Sequence, residues 1–468
     1  MDQKRMPLCE RLEAHRKNKP ISFHVPGHKN GLLYEGFSIL QANAAYDVTE
    51  LTGLDDLHDP HEAIAEAQEL LTSFYHTEKS YFLVNGSTVG NLAMILATCE
   101  EGDIVLVQRN CHKSILNGLR MANVRPVFIS PEMNEELMIP GRIKMEDIYE
   151  AINKYDNIKA CIFTYPDYYG QVYEIEEMIK VLHSYNIIVL VDEAHGAHFS
   201  LGDPFPESAL TLGADITVQS AHKTLPAMTM GSYLHINSDR IARERVEFYL
   251  SVLQSSSPSY PIMASLDYAR YYIANFTKQD IRYTLEQREV WIEQFQKSGM
   301  IVKCSHDPLK IIVRHPHYSG FQLQEKLEST GVYSELADPF QVLCILPLLK
   351  EGMAYPNIQF PEFTKADSNK NVGFVNMNHP ITELSISYKD MNTLPVEWIK
   401  SNEAIGEIAA KMIIPYPPGI PLLLPGERIT INHVRQLHLL LESGARFQGE
   451  VEQIKSGNIA IFTNLENR

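Results

Sequence analysis

Between about residues 60 and 240 the chain alternates short β-branched runs with amphipathic stretches, and this alternation constrains the fold more than any other feature. Strands that alternate with helices predict βαβ units and a mainly parallel sheet. The runs are apolar almost throughout, which is typical of strands buried on both faces. The predicted strands are Tyr81–Val84, Ile104–Val107, Val127–Ile129, Ala160–Thr164, Ile187–Val191, Ile216–Val218 and Ser232–Ile236. The sequence therefore predicts a doubly wound α/β domain that binds ligands at the carboxyl ends of its strands.

The pattern changes after this region. A long helical region is predicted from Ser265 to Gly299, and a smaller α+β domain follows it. The elements predicted beyond residue 300 are strands at Lys310–Arg314 and Gln341–Leu346, and helices at Phe321–Ser329, after Glu403 and at Thr430–Gly444, with a proline-rich loop at Pro415–Pro421. The predicted division is an N-terminal segment (1–60), a large α/β domain (61–290), a small α+β domain (291–400) and a C-terminal segment (401–468).

Charge and cysteine content exclude several classes of protein. Acidic residues outnumber basic ones by 58 to 41, and the net charge of −17 argues against a nucleic-acid binder. Six scattered cysteines without a CxxC pair argue against a disulfide framework and a thiolate zinc site. The charged N-terminus does not resemble a signal peptide, and apolar runs such as Ile187–Val191 are too short to span a membrane. We expect a cytoplasmic protein.

The first group of candidate residues, Ser220-Ala221-His222-Lys223-Thr224, directly follows a predicted strand. Lys223 has two interpretations. It is either an exposed loop lysine or an amine held in a pocket, where desolvation lowers its pKa and prepares it to form a Schiff base. Ser220 and His222 could donate hydrogen bonds to a phosphate group beside it.

The second group is the Asp192–His198 stretch, which includes a DEAH sequence at a strand end. A helicase would also need a phosphate-binding loop, but the chain contains no Gly-Lys dipeptide. Two uses stay open. Asp192, His195 and His198 could bind a metal in a hydrolase, or Asp192 could hold the proton on the ring nitrogen of a pyridoxal cofactor.

The third group, Asn85–Asn91, turns from a predicted strand into a helix. Ser87 and Thr88 could bind an anion together with the free N–H groups of the helix, or they could serve as an N-cap alone. The sheet thus offers, in chain order, an anion site, an aspartate at a strand end and a lysine at a strand end. These are the groups that pyridoxal 5'-phosphate (PLP) requires.

Several motifs in the same order resemble the Orn/Lys/Arg decarboxylases, in particular their short bacterial forms. The motifs are His24–Lys29, Asp47–Leu51, Gly53–His58, Arg109–Ser114, the DEAH and SAHK stretches, Ser255–Tyr260 and Pro415–Gly419. The resemblance covers most of the chain. It implies a fold-type-I, PLP-dependent transferase-like large domain with a mainly parallel sheet, together with a smaller α+β C-terminal domain.

The resemblance also implies roles for single residues. Lys223 would form the Schiff base with PLP, Asp192 would pair with the pyridine nitrogen, and His195 would lie at the ring or its 3-hydroxyl. His112 would stack on the ring, although a capping or core histidine is the alternative from the residues alone. The predicted phosphate ligands are Ser87, Thr88, Ser220 and His222, with Ser256 and Ser257 supplied by the second subunit of a homodimer.

The implied reaction is decarboxylation of a basic amino acid to its amine and CO₂, with His222 or Lys223 as the acid that reprotonates Cα. Glu427 resembles a family position near the distal cation of the substrate, and a glutamate at a helix N-terminus is the alternative. Arginine is slightly favoured over lysine, then ornithine. The rival functions are a PLP-dependent aminotransferase or lyase, a metal-dependent hydrolase and a silent paralogue that regulates a decarboxylase.

Overall fold

The computed structural model describes residues 1–363, 380–415 and 421–464. The helices in this part of the chain are α1 (Pro7–Lys17), α2 (Ser38–Asn43), α3 (Ala63–Tyr75), α4 (Gly86–Thr98), α5 (Lys113–Met121), α6 (Met145–Lys154), α7 (Ile175–Ser184), α8 (Ala221–Thr224), α9 (Arg243–Leu253), α10 (Tyr260–Ala274), α11 (Lys278–Lys297), α12 (Gly320–Glu328), α13 (Tyr388–Met391), α14 (Ile431–Glu442) and α15 (Val451–Lys455).

The strands in the same ranges are β1 (Lys79–Leu83), β2 (Ile104–Gln108), β3 (Arg125–Ile129), β4 (Met133–Asn134), β5 (Ile139–Pro140), β6 (Ile158–Thr164), β7 (Ile188–Asp192), β8 (Ile216–Gln219), β9 (Ser232–Ile236), β10 (Ile301–Cys304), β11 (Lys310–Arg314), β12 (Leu336–Ala337), β13 (Val342–Ile345), β14 (Ile381–Glu383), β15 (Val396–Lys400), β16 (Ile414–Pro415), β17 (Phe447–Gln448) and β18 (Asn458–Phe462).

The chain forms two compact units, and unit 1 contains Met1–Thr98 and Ile175–Lys278. Four of its strands lie side by side in the order β1-β9-β8-β7. Strands β7 and β8 are parallel, whereas β9 is antiparallel to both β8 and β1. The side chains of β8 and β9 are buried along their whole length, including those of the polar residues Thr217, Gln219, Ser232 and His235.

Unit 2 contains Cys99–Glu174 and Gln279–Arg468. In this unit β6, β2 and β3 are parallel neighbours and β14 adds an antiparallel strand beside β3. A separate antiparallel sheet has the order β10-β11-β13-β12. One face of this second sheet packs with α11 and α12 in a core that includes Trp291, Phe295, Val313, Leu323 and Val342. The smaller α+β arrangement predicted for this region is therefore present.

All seven strands predicted in the first half of the chain are present, with ends that differ by at most about two residues. The single helical region predicted from Ser265 to Gly299 is instead two helices, α10 and α11. The break has a local cause. The side-chain amide of Asn275 donates to the carbonyl groups of Tyr271 and Gln3, so Asn275 ends α10 instead of continuing it.

The helix predicted after Glu403 is wrong, because this segment forms turns and isolated bridges. Gly406 has a φ of +93°, and its N–H donates to the carbonyl of Ile429. The N–H of Ala409 likewise donates to the carbonyl of Glu427. These backbone groups therefore bond to a distant segment instead of to the preceding turn of a helix. Residues 416–420 of the predicted proline-rich loop lie outside the described residues.

In the described ranges, every helix falls short of the combination of length and apolar character that crossing a membrane requires.

Candidate active site

Two glycines place helix α4 against the strands of unit 1. Gly86 has a φ of +77°, which lets the chain turn sharply from β1 into the helix. A Cβ atom on Gly90 would lie 2.7 Å from Leu83 Cδ1 and 2.8 Å from Val218 Cγ1. A side chain here would displace these methyl groups, so glycine lets the first turns of α4 lie close beside the carboxyl end of β8.

Two of the predicted phosphate ligands meet at this point. The hydroxyl oxygens of Ser87 and Ser220 lie 2.6 Å apart, with Ser87 in the first turn of α4 and Ser220 directly after β8. Ser220 is buried. Thr88, which follows Ser87 in the first turn of α4, is exposed. The structure therefore brings Ser87 and Ser220 together, as the sequence predicts for a shared anion site.

One helical turn beyond Ser87, helix α4 holds the carboxylate of Asp192. The side-chain amide of Asn91 donates to Asp192 Oδ2 at 2.9 Å, and the N–H of Ala194 lies 3.2 Å from Oδ1. Residues four apart share one helix face, so Ser87 and Asn91 point to the same side of α4. Sequence reasoning missed Asn91, although its four-residue spacing from Ser87 was a usable signal.

Lys223 lies beside the predicted ring-side histidine. Its Nζ atom is 2.9 Å from His195 Nε2, and the lysine is half-buried on the short helix α8. The interpretation of Lys223 as an exposed loop lysine is therefore wrong. His222 donates from Nδ1 to the carbonyl of Gly231 at 2.9 Å, which fixes the orientation of its ring.

His198, the third ligand of the metal site that the sequence left open, packs against aromatic rings. His198 is fully buried, and its ring packs against Phe199 and Phe205 at centroid distances of 4.9 and 5.2 Å. Among the described residues, His, Cys, Asp and Glu side chains form no group of three that could hold a metal ion. This geometry does not favour the hydrolase alternative.

The two serines predicted to act in a second subunit face solvent. Ser256 and Ser257 are exposed, and the carbonyl of the neighbouring Ser255 lies 2.8 Å from His58 Nε2. Their role in binding the phosphate stays a prediction.

The remaining two predicted site residues belong to unit 2. His112 is the N-cap of α5, because its Nδ1 accepts a hydrogen bond from the N–H of Ser114. The capping interaction that the residues alone suggested is therefore present, and the stacking role stays a prediction. Glu427 is buried and forms an ion pair with Arg109, so its carboxylate is already engaged. The sequence analysis quoted Arg109 in a motif but assigned it no function.

Comparisons with known proteins show the family. The model of the Orn/Lys/Arg decarboxylase major domain matches residues 6–309, and the model of the C-terminal domain of the same family matches residues 369–456. The uncharacterized protein YaaO of Bacillus subtilis is 44% identical, over 98% of this chain and 99% of its own. Arginine decarboxylase of Bacillus subtilis is 32% identical, over 96% of both chains.

A solved structure shows the fold. The constitutive lysine decarboxylase of Escherichia coli superposes with a TM-score of 0.78 at 19% identity, covering 98% of this chain and 82% of that chain. The predicted fold class, a fold-type-I large domain with a mainly parallel sheet and an additional C-terminal domain, is confirmed. Because the family models match both domains and a relative 32% identical covers nearly the whole chain, the chain belongs to the Orn/Lys/Arg decarboxylase family.

Proposed function

We propose that this protein is a PLP-dependent decarboxylase that converts a basic amino acid, arginine ahead of lysine and then ornithine, into the corresponding amine and CO₂. The observation that carries the proposal is the arrangement around α4. Within unit 1, Ser87 meets Ser220 and Asn91 meets Asp192, and Lys223 lies only three residues beyond Ser220.

The side chains of unit 1 fit this cofactor chemically. Two hydroxyls and the N-terminus of a 13-residue helix suit a phosphate group. Asp192 is almost completely buried, so a cationic partner such as a protonated ring nitrogen would complement its charge. Lys223 supplies the amine that PLP enzymes use to hold their cofactor. Bound PLP would supply the electron sink for the electron pair that remains when CO₂ leaves.

The residues of this chain would perform the other tasks. Ser87 and Ser220 would bind the phosphate and so set the depth of the cofactor. Asp192, oriented by Asn91, would keep a proton on the ring nitrogen as an anion in a water-poor site. Lys223 would supply the amine that holds the cofactor.

Reprotonation of the substrate Cα needs a positioned acid. His222 and Lys223 are the candidates, as the sequence analysis predicts. The Nδ1–H of His222 is directed to the Gly231 carbonyl, so only Nε2 could move a proton to substrate. Lys223 lies 2.9 Å from His195, which places a second proton-carrying group beside it.

The relatives support the placing of arginine ahead of lysine. Relatives about one-third identical over nearly the whole chain are named arginine decarboxylase, and those named lysine decarboxylase are less similar. The negative charge of the chain also favours a cationic substrate.

The test is the release of carboxyl carbon as CO₂ from arginine, lysine and ornithine, each with PLP added and with Lys223→Ala as the control. We expect the fastest release from arginine and none from the variant. Bound cofactor without release from any of the three would move the function to an aminotransferase or a lyase.

We also propose that the protein is a cytoplasmic homodimer with shared active sites. The segment of residues 21–40, here called the apolar arm, exposes large hydrophobic side chains, including Phe23 at 95%. Several large exposed apolar side chains in one segment favour an interaction site, and Ser256 and Ser257 also face solvent. A second copy of the chain that covers the apolar arm would satisfy both observations.

Sedimentation of the protein tests the dimer. We expect the wild-type chain to be a dimer and the Phe23→Asp, Leu32→Asp double variant to be a monomer, because charges would be buried in the interface. Tyr333→Asp, at an exposed position outside the arm, is the control and should stay dimeric. An active wild-type monomer would refute the proposal.

A further inference from the structure

A line of buried polar side chains crosses the strands of unit 1. Glu193 directly follows β7, Gln219 ends β8, His235 lies on β9 and Ser80 lies on β1. All four are 0% exposed. Because the strands are ordered β7-β8-β9-β1, the line passes from each strand to its immediate neighbour. Buried polar groups are costly unless they are hydrogen-bonded, so a line of this length calls for an explanation.

The line begins at a carboxylate that accepts three hydrogen bonds. Glu193 Oε2 accepts from Gln219 Nε2 at 2.6 Å and from the Ser208 hydroxyl at 2.8 Å. Glu193 Oε1 accepts from the N–H of Ala209 at 2.7 Å. Burial raises the pKa of Glu193 to about 7, and the three donors oppose that rise. Above neutral pH the carboxylate is therefore an anion held by three hydrogen bonds.

The acceptor at this end sets the direction of the remaining bonds. Because the amide of Gln219 donates to Glu193, its Oε1 faces His235 Nε2 at 3.2 Å and must accept. Burial lowers the pKa of His235 to about 3, so the ring is neutral and carries one N–H. His235 Nδ1 then accepts from the Ser80 hydroxyl at 2.7 Å, and Ser80 accepts from the Thr77 hydroxyl at 2.8 Å. Every donor hydrogen along this line of side chains points toward Glu193, and this common direction strengthens each hydrogen bond.

Glu193 and Gln219, the first two residues of this line, adjoin the candidate active site. Glu193 follows Asp192, and Gln219 precedes Ser220 by one residue and Lys223 by four. Successive side chains of a strand point to opposite faces. Asp192 accordingly contacts Asn91 of α4, whereas Glu193 contacts Ser208 and Gln219.

The ends of β7 and β8 are joined by three hydrogen bonds. The N–H of Glu193 donates to the Val218 carbonyl at 2.9 Å, and the N–H of Ser220 lies 3.3 Å from the Ala194 carbonyl. The Gln219–Glu193 side-chain bond is the shortest of the three. It lies at the point where the chain leaves the sheet to form α8, the helix that carries Lys223.

We propose that Glu193 and Gln219 are positioning residues that hold Lys223 in register with Asp192 from the opposite face of the sheet. The proposal rests on the proposed function for the roles of Lys223 and Asp192. Neither Glu193 nor Gln219 would touch substrate or cofactor, and both would act through the backbone that follows Asp192 and Gln219.

Two substitutions that remove hydrogen bonds from the same oxygen provide the test. Both Gln219 and Ser208 donate to Glu193 Oε2, but Gln219 lies on β8 and Ser208 lies outside the strands. Gln219→Leu removes the first of these hydrogen bonds, and Ser208→Ala removes the second. Both variants should lower the melting temperature. Only Gln219→Leu should lower kcat, by about tenfold or more with KM little changed, because small misplacements of reacting groups cost rate.

Two further readouts separate positioning from a loss of stability. In the cofactor-free protein, the backbone amides of His222, Lys223 and Leu225 should exchange hydrogen faster in Gln219→Leu than in Ser208→Ala. With PLP bound, borohydride treatment should attach a smaller fraction of the PLP to Lys223 in Gln219→Leu than in the wild type, and Ser208→Ala should match the wild type. If Gln219→Leu does not fold, Glu193→Gln takes its place, since its amide cannot accept all three donors.

Equal kcat, exchange and attachment in Gln219→Leu and Ser208→Ala would overturn the proposal. A wild-type protein that binds no PLP would instead overturn the proposed function, and the exchange measurement on the cofactor-free protein would still decide whether the bond holds the Lys223 segment.

Discussion

The guanidinium of Arg109 and the carboxylate of Glu427 form a two-point ion pair in unit 2. Arg109 Nε lies 3.0 Å from Glu427 Oε1, and Nη2 lies 2.9 Å from Oε2. Arg109 also donates to the carbonyl of Pro421, and Glu427 accepts from the N–H of Leu424. The pair therefore ties the residue that follows β2 to the turn that contains Glu427.

Breaking this pair from one side should destabilise the protein. Both side chains are largely buried, so Arg109→Met would leave a carboxylate without its countercharge, at a cost of about 3 kcal/mol or more. The double variant Arg109→Met, Glu427→Leu should recover part of this loss, since neither charge remains. Urea unfolding of the three proteins measures the difference. A double variant less stable than Arg109→Met would contradict the explanation.

Glu427→Gln distinguishes a structural role from the predicted substrate role. Arg109 and Leu424 already engage both carboxylate oxygens, so we expect the variant to weaken the binding of lysine and of its uncharged analogue norleucine by the same factor. Competitive inhibition constants would show this. A loss confined to lysine would instead support contact between Glu427 and the distal cation.

Lys223→Ala should abolish covalent attachment of PLP. Borohydride treatment of the wild-type protein with PLP should add the cofactor mass to the peptide that contains Lys223, because this amine is the one beside His195 at the candidate site. Mass spectrometry of the digest makes the measurement. Lys180→Ala, at an exposed position in unit 1, is the matched control and should label as the wild type does. Labelling of the Lys223→Ala protein at another lysine would place the cofactor elsewhere.

Asp192→Asn should bind PLP but lose turnover by about a hundredfold or more, because a neutral amide does not stabilise a proton on the ring nitrogen. The new side chain still offers an oxygen to Asn91, so the fold should survive. Steady-state kinetics and a fluorescence titration with PLP test the two halves separately. Turnover close to wild type would remove Asp192 from its proposed role.

His433 should make the protein less stable in mild acid. Burial lowers the pKa of His433 to about 4, whereas an unfolded histidine has a pKa near 6.5. Between these values only the unfolded chain takes up the proton, so the stabilisation present above pH 6.5 is lost as pH falls toward 4. His433→Gln keeps the capping box with Thr430 and does not titrate. The unfolding free energy of wild type relative to this variant should therefore decrease from pH 7 to pH 4, and a constant difference would contradict the assignment.

Local patterns predicted much of the fold. Strands such as β2 and β7 were predictable because burial on both faces leaves a nearly uninterrupted apolar run. The helix wrongly predicted after Glu403 shows the limit of such patterns. The conformation of Gly406 and its bond to Ile429 depend on a segment more than 20 residues away, which no local pattern contains.

The sequence by itself determined the family and the order of the strands along the chain, and it predicted Ser87, Asp192, Ser220 and Lys223 as a group, because these follow from local composition and from motifs in a characteristic order. Only the tertiary structure decided which side chains meet. The pairing of Asn91 with Asp192, of Arg109 with Glu427 and of Glu193 with Gln219 joins residues 26 to 318 positions apart. Hydrogen bonds and ion pairs act over about 3 Å in space, and distance along the chain does not reveal which partners folding will bring that close.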